Sequence, residues 1–325
     1  MDERLKFGKI LPPIIAVGFF IVCLVANPQR YIQSVSDSLL LFTHSVLPAL
    51  FPFFFFSKLF TLLGGGYILG KTLSKPTKLL FGTPPICGYI FCMSIMCGYP
   101  MGSKLIKDMH DNCLISPSSV WRISAFCSTS GPIFVLGTIG AVMFKNTLIG
   151  LYALICHILG AMLNGIIFRK KTMQNNDFLP FVKVDNILYT CVNDSIFSVL
   201  VVGGWIAIFG MICDVLVDLK IIDLLSIPLS KILSLISAPT SLARPILLGT
   251  VELTRGCKEL AMLGLDTKTV LPYLVGLLSF GGLCISMQSM TYLGSCGMSW
   301  KKFLITKACQ TLISIGLAFI ICQLI

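Results

Sequence analysis

Residues 120–144 read VWRISAFCSTSGPIFVLGTIGAVMF, an apolar run of membrane-spanning length with Ser128-Thr129-Ser130-Gly131-Pro132 at its middle. About 20 apolar residues suffice to cross a bilayer as one helix. Proline lacks an N–H and clashes with the preceding turn, so Gly131-Pro132 breaks that helix near its centre. The break frees backbone N–H and C=O groups inside lipid, which is tolerated only where protein or a water-filled cavity shields them. The stretch therefore predicts a helical membrane protein with a polar site in its interior.

Composition agrees. Of 325 residues, 55% are apolar and 12% charged, about half the charged share of an ordinary soluble domain. That excludes soluble enzymes, DNA-binding modules and disordered chains. The length allows about seven or eight crossings. The net charge of +11, from 25 Lys+Arg against 14 Asp+Glu, falls in short clusters between apolar runs. Such clusters follow the positive-inside bias, so the lipid bilayer is the expected partner and nucleic acid is not. Fourteen cysteines include no C-x-x-C, and His44, His110 and His157 stand far apart, so no metal or cofactor is expected.

Working towards the N-terminus, Leu79–Cys97 is apolar, is interrupted at Pro84-Pro85 and ends in Gly98-Tyr99-Pro100-Met101-Gly102. Ser103–Ser119 is too polar to face lipid. A full crossing followed by a polar loop fits this pattern, and so does a re-entrant hairpin with its tip at 98–102, where glycine and proline suit the turn. Leu39–Leu63 contains Pro48 and Pro52 and leads to Lys71, Lys75 and Lys78. Ile10–Ala26 follows Arg4, Lys6 and Lys9 and is broken early by Pro12-Pro13; it reads as a first crossing or as a cleaved signal peptide. On the other side, Leu148–Phe168 is a clean crossing that ends at Arg169, Lys170 and Lys171.

The chain also shows an internal duplication. His44–Leu50 recurs in character as Asp194–Leu200, 150 residues later. Gly98–Gly102 is answered by Glu252-Leu253-Thr254-Arg255-Gly256 after 154 residues, and Ser128–Pro132 by Ser279-Phe280-Gly281-Gly282-Leu283 after 151. The expected organisation is an N-terminal transmembrane helix and loop (1–37), a first repeat (38–168), a cytoplasmic linker (169–185) and a second repeat (186–325). Crossings at 39–63, 120–144 and 148–168 are odd in number, so the second repeat, crossing at about 187–213, 268–294 and 303–324, is inverted. Lys301, Lys302 and Lys307 then fall on the cytoplasmic side. The expected fold is an all-α polytopic protein of the cell membrane, an inverted repeat with two re-entrant hairpins and two broken helices. Such folds belong to secondary transporters, in which helix N-termini attract anions and carbonyl ends attract cations.

At these residues the sequence resembles a known family. Gly98-Tyr99-Pro100-x-Gly102-x-Lys104 and Ser128-x-Ser130-Gly131-Pro132-Ile133-Phe134 are similar to the nucleoside-recognition or Gate family, in its sporulation branch. Glu252-Leu253-Thr254-x-Gly256 and Ser279-Phe280-Gly281-Gly282-Leu283 fit it too. The resemblance covers residues 38–320. It implies a plan similar to concentrative nucleoside transporters and to the gate region of ferrous-iron permeases. It also implies a permease of endospore formation that moves dipicolinate, a small anion, towards the forespore.

The candidate substrate site is therefore Gly98, Tyr99, Pro100, Gly102, Lys104, Ser128, Thr129, Ser130, Gly131, Glu252, Thr254, Arg255, Gly256, Ser279, Gly281 and Gly282. Lys104 and Arg255, near opposite tips, are expected to clamp two carboxylates, with Ser128, Thr129, Ser130 and Ser279 donating hydrogen bonds. In that reading Glu252 balances a cation or binds a coupling proton. The alternative is that Lys104 and Arg255 snorkel to the interface while Glu252 pairs with Arg255 or Lys258. Tyr99 either stacks on an aromatic solute or packs. His44 and Asp194 are candidates for proton coupling or for structural caps, and His157 is expected to hydrogen-bond between helices. No G-x-S-x-G or H-E-x-x-H pattern is present, so no enzyme is expected. The competing functions are a nucleoside permease and a sporulation membrane scaffold.

Overall fold

The structure, a computed structural model, describes residues 3–170 and 186–325, so most of the linker expected at 169–185 lies outside the described residues. Those residues are helical with no strand. Four helices are long and apolar enough to cross a membrane: Thr147–Ile167, Ile187–Asp218, Thr267–Cys296 and Trp300–Leu324. Three sharply bent helix pairs raise the possible number of crossings to 7. Large apolar side chains stand outward over the whole surface, among them Val25, Val142, Leu312 and Leu324. Water would make this an aggregating surface; lipid solvates it. The chain is an all-α polytopic membrane protein.

Both halves pass through the same order of elements. The first opens with Pro28–Leu41, which continues through a π-turn at Phe42–Val46 into Leu47–Leu62. Two short helices, Gly65–Thr72 and Ser74–Phe81, precede the pair Ile86–Cys97 and Met101–Asp111. Pro117–Ser124 and the π-helix Ile133–Met143 flank a non-helical stretch, and Thr147–Ile167 closes the half. The second half runs Ile187–Asp218, Ile221–Leu235, the pair Ala243–Val251 and Leu253–Met262, the broken pair Thr267–Phe280 and Gly282–Leu293, and finally Trp300–Leu324.

Equivalent helices of the two halves lie antiparallel. Arg30 bonds Asp218, Ser34 bonds Asp214, Ser38 packs on Gly210 and Phe42 on Gly203, so one numbering rises as the other falls. Between the closing helices, Gly160 meets Ser314 and Asn164 meets Thr306 in the same opposed sense. An inverted duplication requires this arrangement. One face gathers basic ends: Lys302 lies 6.0 Å above the Trp121 ring, and Arg122 donates to the Lys170 carbonyl at 3.0 Å. The positive-inside bias makes that face the candidate cytoplasmic side.

Several boundaries differ from the sequence reading. The crossing expected from 39 begins at Pro28, because proline costs nothing in a first helical turn. Pro12 and Pro13 do not break their helix, which runs Glu3–Ala26 and meets the next at 106°; local adjustment re-satisfies freed backbone groups in membrane helices. Ile221–Leu235 was not anticipated. At 15 residues, about 22 Å, it is too short to span.

Asp214 is the main polar tie between the halves at the opposite face. It accepts from Ser34, pairs with Arg255 at 2.5 Å and lies 3.6 Å from Arg30. Asp214→Ala is expected to cost about 2 kcal/mol, less than a fully buried pair because Arg255 is partly exposed. Thermal unfolding in detergent reads this as a clear fall in Tm, whereas Asp218→Ala, at the exposed end of the same helix, is expected to change little.

Candidate functional site

The first pair of short helices forms a hairpin. Its arms, 12 and 11 residues long, measure about 18 and 16 Å, and neither crosses a hydrocarbon core of about 30 Å. Ser94 and Gly102, equally spaced about Gly98, face each other across the turn. Gly98 adopts φ +78°, a region open to glycine, and the Tyr99–Pro100 peptide is cis. Of the two readings left open by the sequence, the structure takes the re-entrant one. The second pair closes likewise about Glu252, with Gly256 on Gly249 and on the Pro245 carbonyl. Glu252 is the N-cap of the returning arm: its carboxylate accepts from the Thr254 and Arg255 N–H groups at 3.0 and 2.8 Å.

The two broken helices meet these tips. Residues 128–131 belong to no helix, and Gly281, at φ +81°, separates Thr267–Phe280 from Gly282–Leu293. Gly98 abuts Gly131, and Gly282 abuts the Gly249 carbonyl. The Tyr99 hydroxyl donates to the Leu278 carbonyl at 3.3 Å. All four interruptions named from the sequence thus lie together.

His157 joins the breaks of the two halves. The Ser130 N–H donates to its Nε2 at 2.9 Å, which requires that nitrogen to be unprotonated. The ring proton therefore sits on Nδ1 and is donated to Ser279 Oγ, also at 2.9 Å. The expected interhelical hydrogen bond is present, and it links two fractures rather than two smooth helices.

Lys307 corrects the topology reading. It does not lie on the cytoplasmic face with Lys301 and Lys302 but seven residues, about 10 Å, beyond Trp300, and is 2% exposed. Its ammonium donates to Tyr99 Oη at 2.8 Å, to the Ser128 carbonyl at 3.3 Å and to Gln310 Oε1 at 3.3 Å. The helical face that carries it also buries Thr306, Gln310 and Ser314. A polar stripe at that spacing in an otherwise apolar helix was the available signal; it was hidden because Lys307 follows two surface lysines.

Between the tips lies a cavity of about 140 Å³. Of the residues expected at the site, Gly98, Tyr99, Ser130, Gly131, Glu252 and Thr254 line it, joined by Gln288 and an apolar wall that includes Phe53 and Val202. Ser128 contributes to the Lys307 cage, Ser279 holds His157, and Thr129 donates to Ser94 Oγ at 3.3 Å. Pro100, Gly102, Gly256, Gly281 and Gly282 shape the turns and their close contacts.

Lys104 and Arg255 are not brought together on the cavity. Lys104 is buried 5.7 Å from the Phe54 ring, on the same arm as Asp108, which Lys58 approaches to 3.9 Å. Arg255 is held by Asp214. Neither snorkels freely, and Glu252 bonds the Arg255 backbone rather than its side chain. His44 and Asp194 are also apart in role: His44 is exposed on the π-turn, while Asp194 pairs with Lys58 at 2.6 Å.

Fold and site together define a polytopic membrane protein whose two antiparallel halves bring two hairpin tips and two helix breaks to one partly open cavity. Over 94% of its length the chain is similar to the sporulation integral membrane protein YlbJ of Bacillus subtilis (strain 168), at 25% identity across 337 aligned residues and 81% of that protein. The likeness to a sporulation membrane protein read from the motifs is borne out along nearly the whole chain. No family model matches. No solved structure matches.

Proposed function

We propose that this protein is a permease of endospore formation for a small aromatic anion, with dipicolinate as the candidate cargo. The convergence of four backbone interruptions around one partly open cavity is the observation that supports it, since broken helices at depth are the construction used to bind and release solutes. The likeness to a protein named for sporulation supports the setting. The preference for an anion is supported by Lys307, whose hydrogen-bond partners are all neutral oxygens and whose ammonium reaches the cavity wall through Tyr99. Ser130, on that wall, has a buried hydroxyl with no partner among the described residues. Cargo passes through chemically unchanged, so the protein acts as a carrier and not as an enzyme.

Glu252 favours a second reading. Its carboxylate lies on the same wall and would repel an anion but accept hydrogen bonds from a neutral solute such as a nucleoside. Uptake of labelled dipicolinate and uridine into vesicles containing the purified protein decides between them. Protein-dependent, saturable dipicolinate uptake with uridine at the protein-free rate is the expected result. Uridine uptake alone establishes the second reading. Uptake of neither solute refutes both and leaves a membrane scaffold.

A further inference from the structure

The Lys307 ammonium is sealed among neutral oxygens: Tyr99 Oη at 2.8 Å, the Ser128 carbonyl at 3.3 Å, Ser128 Oγ at 3.5 Å and Gln310 Oε1 at 3.3 Å. The Tyr99 ring faces it, with the centroid at 4.8 Å. No carboxylate is among its partners in the described residues. A lysine buried for structure alone is normally paired with Asp or Glu, because an uncompensated buried charge is costly. A cage of hydroxyl, amide and freed backbone carbonyl oxygens at a helix break is instead how carriers hold a small monovalent cation. Its oxygens come from the first hairpin tip, the first broken helix and the last helix, so whatever fills it ties the two halves together.

We propose that the Lys307 ammonium is a tethered cation that fills this cage in place of a free sodium ion. Neither the folded state nor solute movement then requires sodium. Removing the ammonium leaves a vacant oxygen cage that small cations from solution can enter.

The full chain and its Lys307→Ala variant, purified in detergent, are melted in choline chloride and again after replacement by sodium or methylammonium chloride at equal ionic strength. The wild type is expected to melt at one temperature in all three salts. The variant is expected to melt about 5 °C or more lower in choline and to recover saturably in methylammonium or sodium, because a ligand that binds the folded state stabilises it by mass action. A variant indifferent to the salt, or a wild type raised by sodium, overturns the proposal. Should Lys307→Ala yield no folded protein, Lys307→Gln replaces it with the same expectation, and wild-type melting of that neutral variant refutes the tethered charge.

The proposal rests on the carrier reading only for its flux test. Dipicolinate uptake at equal rates in sodium and choline is expected. Uptake that requires sodium overturns the tethered cation but not the carrier. Absence of uptake in every salt overturns the carrier, and the melting comparison then decides the cation by itself.

Discussion

Gly102→Ala is expected to leave little or no folded protein in detergent extracts. A Cβ at this position would stand 1.7 Å from the Cys127 carbonyl oxygen and 2.9 Å from the Cys127 carbonyl carbon, where ordinary contact begins near 3.4 Å. Overpacking usually costs about 1–3 kcal/mol because side chains shift aside. Here the obstacle is backbone at the first broken helix, so relief requires the hairpin to withdraw from it. That would also pull Tyr99 from Lys307 and Gly98 from Gly131. A loss of about 4 kcal/mol or more is expected, read as loss of the monodisperse peak in size-exclusion chromatography. Gly137→Ala is the control: its Cβ would meet nothing within 4 Å, and it should behave as wild type.

His157→Leu is the second large effect. The side chain is fully buried, and its removal leaves the Ser130 N–H and the Ser279 hydroxyl without their partner. Each buried polar group left unpaired costs about 1–3 kcal/mol, so a combined loss of about 2–6 kcal/mol is expected. Flux should fall further than stability alone explains, because Ser130 lines the cavity. His157→Gln, which keeps one acceptor and one donor, should recover part of both. Equal melting temperatures for His157→Leu and wild type would show that the bridge between the breaks contributes nothing.

Much of this architecture was legible in the sequence because its signals are local. Gly131-Pro132 in an apolar run, Gly98-Tyr99-Pro100 ahead of a polar helix, and the order of three landmarks repeated about 150 residues on all act through backbone chemistry, which needs no tertiary knowledge. The hairpin at 98–102 stayed ambiguous because a short apolar helix reads alike whether it crosses or turns back. Ile221–Leu235 was missed because a helix of 15 residues falls short of a spanning length.

The charges were the least legible part. Lys104 and Arg255 are near the tips in sequence, but helical geometry turns them away, Lys104 towards Phe54 and Arg255 towards Asp214. Lys307 sits just beyond two surface lysines and was grouped with them, although its burial and its oxygen partners set it apart. Partners such as Lys58 with Asp194 or Arg30 with Asp218 lie 136 and 188 residues apart, and only the packing of antiparallel helices brings them together. Asn164 shows the same limit: it donates to the carbonyls of Ala125, just past the end of Pro117–Ser124, and of Thr306 on the last helix.

The inverted arrangement of the two halves is what places two hairpins, entering from opposite sides, at one cavity. The open end of the first hairpin leads into the helix that carries Trp121 and Arg122, on the basic face. The open end of the second leads to Lys268, whose carbonyl accepts from Cys322 near the far end of the last helix. Cysteines introduced as Asn112→Cys and Met262→Cys, in a background with the accessible Cys23, Cys92, Cys113, Cys309 and Cys322 replaced by serine, can be probed with a membrane-impermeant maleimide on intact cells. Labelling of Met262→Cys from outside, with Asn112→Cys labelled only after the membrane is opened, is the expected result. Labelling of both positions from the same side would contradict the inversion, and with it the convergence of two oppositely entering hairpins.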